Sequence, residues 1–199
     1  GGLYSHDIRA AGVAFETKAA SAGPATGCSY ILVTPDGERT MNTFLGASLL
    51  LTPDDIEPAI VEGSAITYLE GYLWDPPAAK DAFLAASRIA RKAGRRVALT
   101  LSDPFCVDRY RDEFRRLVVD REVDILLANV RELHSLYETA DLDTALASLS
   151  AECPLAAVTA SADGAYVLTS GAIERVAARP VERVVDATGA GDLFAAGFL

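Results

Sequence analysis

Cysteine, histidine and basic charge are all in short supply in this 199-residue chain, and each shortage excludes a class of function. The 3 cysteines, Cys28, Cys106 and Cys153, stand far apart. They form no CxxC pair, and their odd number argues against a disulfide framework, so the cytosol is the natural compartment. The 2 histidines, His6 and His134, lack metal-ligand spacing. No Ser–His–Asp or Cys–His arrangement can be assembled from the sequence. Lysine and arginine total 18 against 28 acidic residues, a net charge of -10. A field of that sign repels phosphate backbones and anionic lipid unless a basic patch offsets it. The densest basic stretch, Arg88 to Arg96, reads as the outer face and end of a helix, so neither nucleic acid nor a membrane surface is an expected partner. No apolar run approaches the roughly 18–20 residues needed to span a bilayer, and no secretory signal opens the chain.

What the chain does have is apolar substance. It is 50% hydrophobic and 8% aromatic, enough for one cored domain, or one domain with an appendage. It begins at Gly1 without methionine and stops at Leu199 inside an apolar helical pattern, which reads as a piece of something larger.

Two regions differ in character. From about Phe15 to Phe44 the signals are β: a run at Cys28–Thr34, the turn Pro35-Asp36-Gly37-Glu38, then a run at Arg39–Phe44. Gly37 supplies the positive φ that such a hairpin turn requires. From Thr52 onward, apolar strands alternate with amphipathic helices. The first helix is expected at Thr52-Pro53-Asp54-Asp55 and the next from Pro76 to Ala93, stopped by Gly94. Strands are expected at Ile66–Glu70, Val97–Leu101, Val123–Ala128 and Leu155–Thr159, with helices between them. Strands spaced this way make parallel βαβ crossovers, so the fold class is α/β with a mostly parallel sheet. The division expected is residues 1–14 as the end of a core helix, 15–47 as a small β lid, and 48–199 as the α/β core. Ala165–Leu168 with Ile173–Ala177 reads as a further hairpin.

The chemistry concentrates near the C-terminal end, in Val184-Val185-Asp186-Ala187-Thr188-Gly189-Ala190-Gly191-Asp192. A short apolar strand is expected to enter a glycine-rich turn that opens a helix. Small residues there let backbone N–H groups face a ligand, and the helix dipole favours an anion. Asp192 falls inside the first turn of that helix. A carboxylate beside an anion site suits a general base that deprotonates a hydroxyl attacking phosphate; its bland alternative is a helix N-terminal acid. The pattern is neither a dinucleotide fingerprint, since Phe194 takes the third glycine's place, nor a P-loop.

Residues 186–199 resemble the second signature of the PfkB (ribokinase-like) carbohydrate and nucleoside kinases, Asp-Thr-x-Gly-Ala-Gly-Asp followed by small and apolar positions. Ala187 departs from the family's usual Thr or other small residue. The resemblance implies a ribokinase-like fold with a β lid, and an ATP- and Mg²⁺-dependent phosphotransferase. In such kinases the aspartate matching Asp192 is the catalytic base, and the amides matching Gly189, Ala190 and Gly191 stabilise charge on the transferring phosphate.

Other segments agree in order. Asn129-Val130-Arg131-Glu132 is similar to the family's Asn-x-x-Glu, which organises Mg²⁺, its waters and the nucleotide phosphates; Glu132 would act on the metal through water. The same four residues also read as a helix cap with Glu132 at N3. Thr159 and Gly164 match the family's Thr-x-Gly-x-x-Gly along the nucleotide, with Ser161 replacing the first glycine; Asp163-Gly164 also reads as a plain hairpin turn. Residues 26–47 resemble the lid of adenosine-kinase-like members, where the arginine matching Arg39 approaches the phosphate as the lid closes. Tyr68-Leu69-Glu70-Gly71-Tyr72-Leu73 falls at the C-terminal end of a strand, where open α/β sheets bind ligands, and Asp103 is a candidate for a polar contact there. The implied acceptor is a primary hydroxyl of a nucleoside such as adenosine, with a free sugar as runner-up. A non-catalytic nucleotide-binding fragment is the alternative from another class. Exposed lid strands also make the lid a candidate for pairing two copies.

Overall fold

The computed structural model describes residues 2–199. Helix α1 (Gly2–Ala10) buries none of its side chains. Strands β1 (Thr26–Val33) and β2 (Arg39–Gly46) then form an isolated antiparallel hairpin, in register from Thr26 opposite Gly46 to Val33 opposite Arg39. Gly37 takes φ +83° in its turn, as the Pro-Asp-Gly pattern predicts. Every residue of β1 is exposed.

The first expected helix is corrected. Pro53–Asp55 is a single 3₁₀ turn, closed by the Asp55 carboxylate accepting from the Thr52 N–H and hydroxyl. Pro58 disfavours helical backbone at the residue before it, and Glu57 is extended at φ -82°, ψ 105°. A short helix, α2 (Pro58–Gly63), therefore starts afresh at the proline.

The core then follows the expected alternation: β3 (Ile66–Glu70), α3 (Pro77–Lys92), β4 (Arg96–Thr100), α4 (Pro104–Val119), β5 (Ile125–Asn129), α5 (Val130–Tyr137), α6 (Leu142–Glu152), β6 (Leu155–Thr159), β7 (Ala165–Thr169), β8 (Ala172–Val176) and α7 (Ala190–Phe198). Strands β3 to β8 form one six-stranded sheet in sequential order. The first four are parallel, and β7 and β8 return antiparallel.

The parallel strands are apolar on both faces, and neighbouring residues serve different layers. Val97, Leu99, Leu126, Ala156 and Val158 enter the main core beneath α3 to α6, with Phe83, Phe114, Leu133 and Leu149. Leu127 and Ala157 point the other way and meet Ala195, Phe194 and Phe198 of α7, with Tyr68 beside them. Helix α7 thus lies on the face opposite α3–α6. The apolar pair Val184–Val185, expected as a strand, forms none; its side chains are exposed, and Val184 rests on the lid turn.

Candidate active site

Parallel strands bring four polar residues to one edge of the sheet. Glu70 lies opposite Thr100, and Asn129 opposite Thr159, at the C-terminal ends of β3 to β6. Each strand end runs into a turn or a helix start. Gly71 begins a 3₁₀ turn where a Cβ would meet Leu101 O at 2.7 Å, so a bare backbone is needed. Asp103 caps α4, its carboxylate accepting from Phe105 N–H at 2.7 Å.

The Asn129–Glu132 segment is a reciprocal cap. The Glu132 N–H donates to Asn129 Oδ1 at 2.9 Å, while the Asn129 N–H donates to Glu132 Oε2 at 2.9 Å. The Asn129 amide also donates to Glu132 Oε1 at 2.6 Å. The helix-cap reading therefore holds: the pair caps α5, and it does so at the strand edge. Glu132 is only 4% exposed. Burial pushes its carboxyl up to about 7, with the Asn129 hydrogen bond pulling down and Asp103 pushing further up.

Helix α7 brings the glycine-rich segment to the site. Gly189 stands at its N-cap with φ +74°, a left-handed conformation that glycine adopts at no steric cost. A Cβ at Gly191 would meet nothing within 4 Å, and one at Gly189 would meet only Asp192 Oδ2 at 3.8 Å, so the space before the helix is open. The Thr188 hydroxyl oxygen is buried there without a partner, and buried polar groups are seldom left so. Of the three expected amides, that of Ala190 is turned back onto Ala187 O at 3.2 Å. Asp186 accepts from the Thr188 N–H at 2.8 Å, and the Thr188 contacts hold its carboxyl below the usual range.

Asp192 is exposed in the first turn of α7, near the end of β3. Burial raises the carboxyl of Glu70, and the negative charge of Asp192 raises it further. The Tyr68 phenol is raised as well, by burial and then by Glu70. Tyr72 is exposed, and its phenol is still raised by partial desolvation; Asp103 and Glu132 add to the effect and Arg39 opposes it. These causes place Arg39, Glu70, Tyr72, Asp103, Glu132 and Asp192 within one electrostatic neighbourhood.

Thr159 ends β6 and Gly164 opens the hairpin beyond it. Gly164 takes φ +97°, and a Cβ there would stand 2.0 Å from Val176 O, so this position is closed to any side chain. Ser161 sits at φ +51°. The glycine that the family pattern places there would meet that conformation without strain; serine does not. Arg39, the first residue of β2, reaches the segment before α7, its Nη1 donating to Ala187 O at 3.4 Å.

Sequence reasoning missed the seating of the lid turn on residues 184–187. No local signal carries a contact between positions 148 residues apart. A groove of about 310 Å³ between α3 and α4, lined by Trp74, Arg88, Glu113 and Arg116 among others, contains none of these residues. Among the described residues no three His, Cys, Asp or Glu side chains converge on a metal position, and no helix is long and apolar enough to cross a membrane.

The mostly parallel sheet between helices, with a glycine-rich helix start and an acid in its first turn, defines an α/β protein. The chain belongs to the pfkB family of carbohydrate kinases, whose model matches residues 1–199. It is similar to the crystal structure of adenosine kinase from Sinorhizobium meliloti, at 54% identity and TM-score 0.96 over 99% of this chain and 60% of that one. A probable sugar kinase from Rhizobium etli CFN 42 is 52% identical at TM-score 0.96, with the same coverage of 99% and 60%. A putative ribokinase II from E. coli, solved in complex with ATP and Mg²⁺, shares the fold at 22% identity and TM-score 0.84, over 97% of this chain and 63% of that one. The ribokinase-like α/β fold expected from the sequence is therefore the fold observed. The chain spans about 60% of the length of the relatives it matches.

Proposed function

We propose that the protein is an ATP-dependent kinase that phosphorylates a primary hydroxyl of a nucleoside, with Asp192 as general base. One observation carries the reading: Asp192 stands in the first turn of a helix whose N-terminus is opened by Gly189 and Gly191, at the strand edge beside Glu70. Asp192 takes the proton of the acceptor hydroxyl as that oxygen bonds to the γ-phosphorus. The bond from phosphorus to the bridging oxygen breaks, and ADP leaves with the electron pair. The N-terminus of α7, through the Gly189 and Gly191 amides, faces charge developing on the transferring group, while the Ala190 amide holds the turn onto Ala187 O. Arg39 adds positive charge from the lid, and the lid keeps water from competing as acceptor.

The donor set suits the cofactors. Mg²⁺ keeps several waters and takes one or two carboxylates besides phosphate oxygens, and it supplies charge neutralisation between the phosphates. Glu132, buried and beside Asp103, would hold it through water, with Asn129 fixing the carboxylate's orientation. Thr159 and Gly164 would line the nucleotide along the β6–β7 turn.

Adenosine is the favoured acceptor because a 54%-identical relative is an adenosine kinase; a free sugar is the second reading because a 52%-identical relative is a probable sugar kinase. The lid, residues 15–47, also exposes Tyr30, Ile31, Leu32, Met41 and Phe44, which supports a dimer through the lid. A monomer in light scattering at micromolar concentration would remove that part. The test of function is ATP consumption by a form spanning the relatives' full length, against adenosine, ribose, fructose and no acceptor. The account expects turnover with adenosine that EDTA abolishes; turnover only with ribose or fructose would move the assignment to the sugar kinases.

A further inference from the structure

Ala187 commits both of its backbone groups. Its N–H donates to Gly37 O at 3.3 Å, and its carbonyl accepts from Ala190 N–H at 3.2 Å and from Arg39 Nη1 at 3.4 Å. Two of these partners belong to the lid hairpin, Gly37 in its turn and Arg39 at the start of β2. The third carries one of the amides at the N-terminus of α7. The seating is close: a Cβ on Gly37 would stand 2.9 Å from Val184 Cγ1 and 3.0 Å from Val184 O. Gly37 is buried in the contact, while the hairpin strands on either side of it are exposed apart from Gly46 at the end of β2.

We infer that Ala187 is a latch point through which the seated lid sets the anion-binding end of α7. When the turn is seated, Gly37 and Arg39 fix the peptide groups of Ala187, and the Ala187 carbonyl fixes the Ala190 N–H, two residues before Asp192. When the turn lifts, the same carbonyl loses its lid donor and the 187–190 turn loosens. Gly37, Val184 and Ala187 are positioning residues, acting through the backbone of residues 188–192. The contacts use no side-chain atom of position 187, so alanine serves there. The catalytic consequence rests on the kinase reading above; the coupling itself does not.

The test compares wild type with Gly37→Ala in a form spanning the relatives' full length. Amide exchange by NMR reads the coupling, and steady-state kinetics reads its consequence. The added methyl, at a left-handed φ and against Val184, should unseat the turn. Exchange at the Ala187 and Ala190 amides is expected to rise about ten-fold or more. The value of kcat should fall about ten-fold while KM for ATP stays within about two-fold, because the loss is in transition-state positioning. Unchanged exchange at both amides, or a loss carried by KM alone, overturns the inference. If the hairpin itself opens, shown by exchange across Ser29–Leu32, Val184→Gly removes the same contact from the other side. It must give the same rise at Ala187 and Ala190, and its failure to do so is equally fatal. A wild-type protein without phosphotransfer would end the kinase reading, while the exchange result would still decide the latch.

Discussion

Asn129 and Glu132 hold each other at both ends, backbone to side chain in each direction at 2.9 Å, with Glu132 sealed from solvent. The carboxyl is raised to about 7 from an ordinary value of 4.5. The folded protein therefore binds more protons than the unfolded chain between those limits, and stability falls as pH rises through that window. Glu132→Gln keeps an acceptor for the Asn129 N–H and removes the charge. It should raise Tm at pH 8, by an amount equivalent to about 2–3 kcal/mol at most, and leave Tm near pH 4.5 almost unchanged. The same variant should lose Mg²⁺-dependent turnover. Thermal unfolding at the two pH values checks the first claim; an equal effect at both would contradict it.

Ser161 pays for a left-handed backbone that glycine would adopt freely. Replacing it with glycine relieves that strain and adds back some backbone entropy to the unfolded chain. Ser161→Gly is expected to stabilise the protein by about 0.5–1 kcal/mol, measured by urea unfolding. A destabilised variant would mean that the serine side chain does more than occupy the turn.

Gly164→Ala sets the opposite expectation. Its methyl would collide with Val176 O at the mouth of the β7–β8 hairpin, and no flexible side chain is there to yield. A loss of roughly 3 kcal/mol or more is expected, together with weakened ATP binding, because the hairpin edge moves. Calorimetry for the first and nucleotide titration for the second would check it. An ATP affinity unchanged in a destabilised protein would remove this hairpin from the nucleotide site.

Much of this was legible in the sequence because local rules and global fold agree. The strands Ile66–Glu70 and Leu155–Thr159 and the helix Val130–Tyr137 are where periodicity and caps place them. The glycines at 37 and 189 take the positive φ that their turns require. The errors have local causes too. Pro58 reset the backbone at Glu57 and split the first expected helix into a 3₁₀ turn and α2. Val184 and Val185 look like a strand, yet they form no ladder, and Val184 instead supports Gly37. The electrostatic grouping of Glu70, Tyr72 and Glu132 with Asp192 comes from strand order, which no single stretch of sequence contains.

The central claim is that Asp192 removes the acceptor's proton. The most direct measurement is kcat of Asp192→Asn against wild type, in a form spanning the relatives' full length, with saturating Mg·ATP and the preferred acceptor. Asparagine keeps the size and the place at the start of α7 but cannot accept the proton. The account predicts a fall in kcat of about 10²–10⁴-fold with ATP binding retained. A kcat within a few-fold of wild type would contradict it.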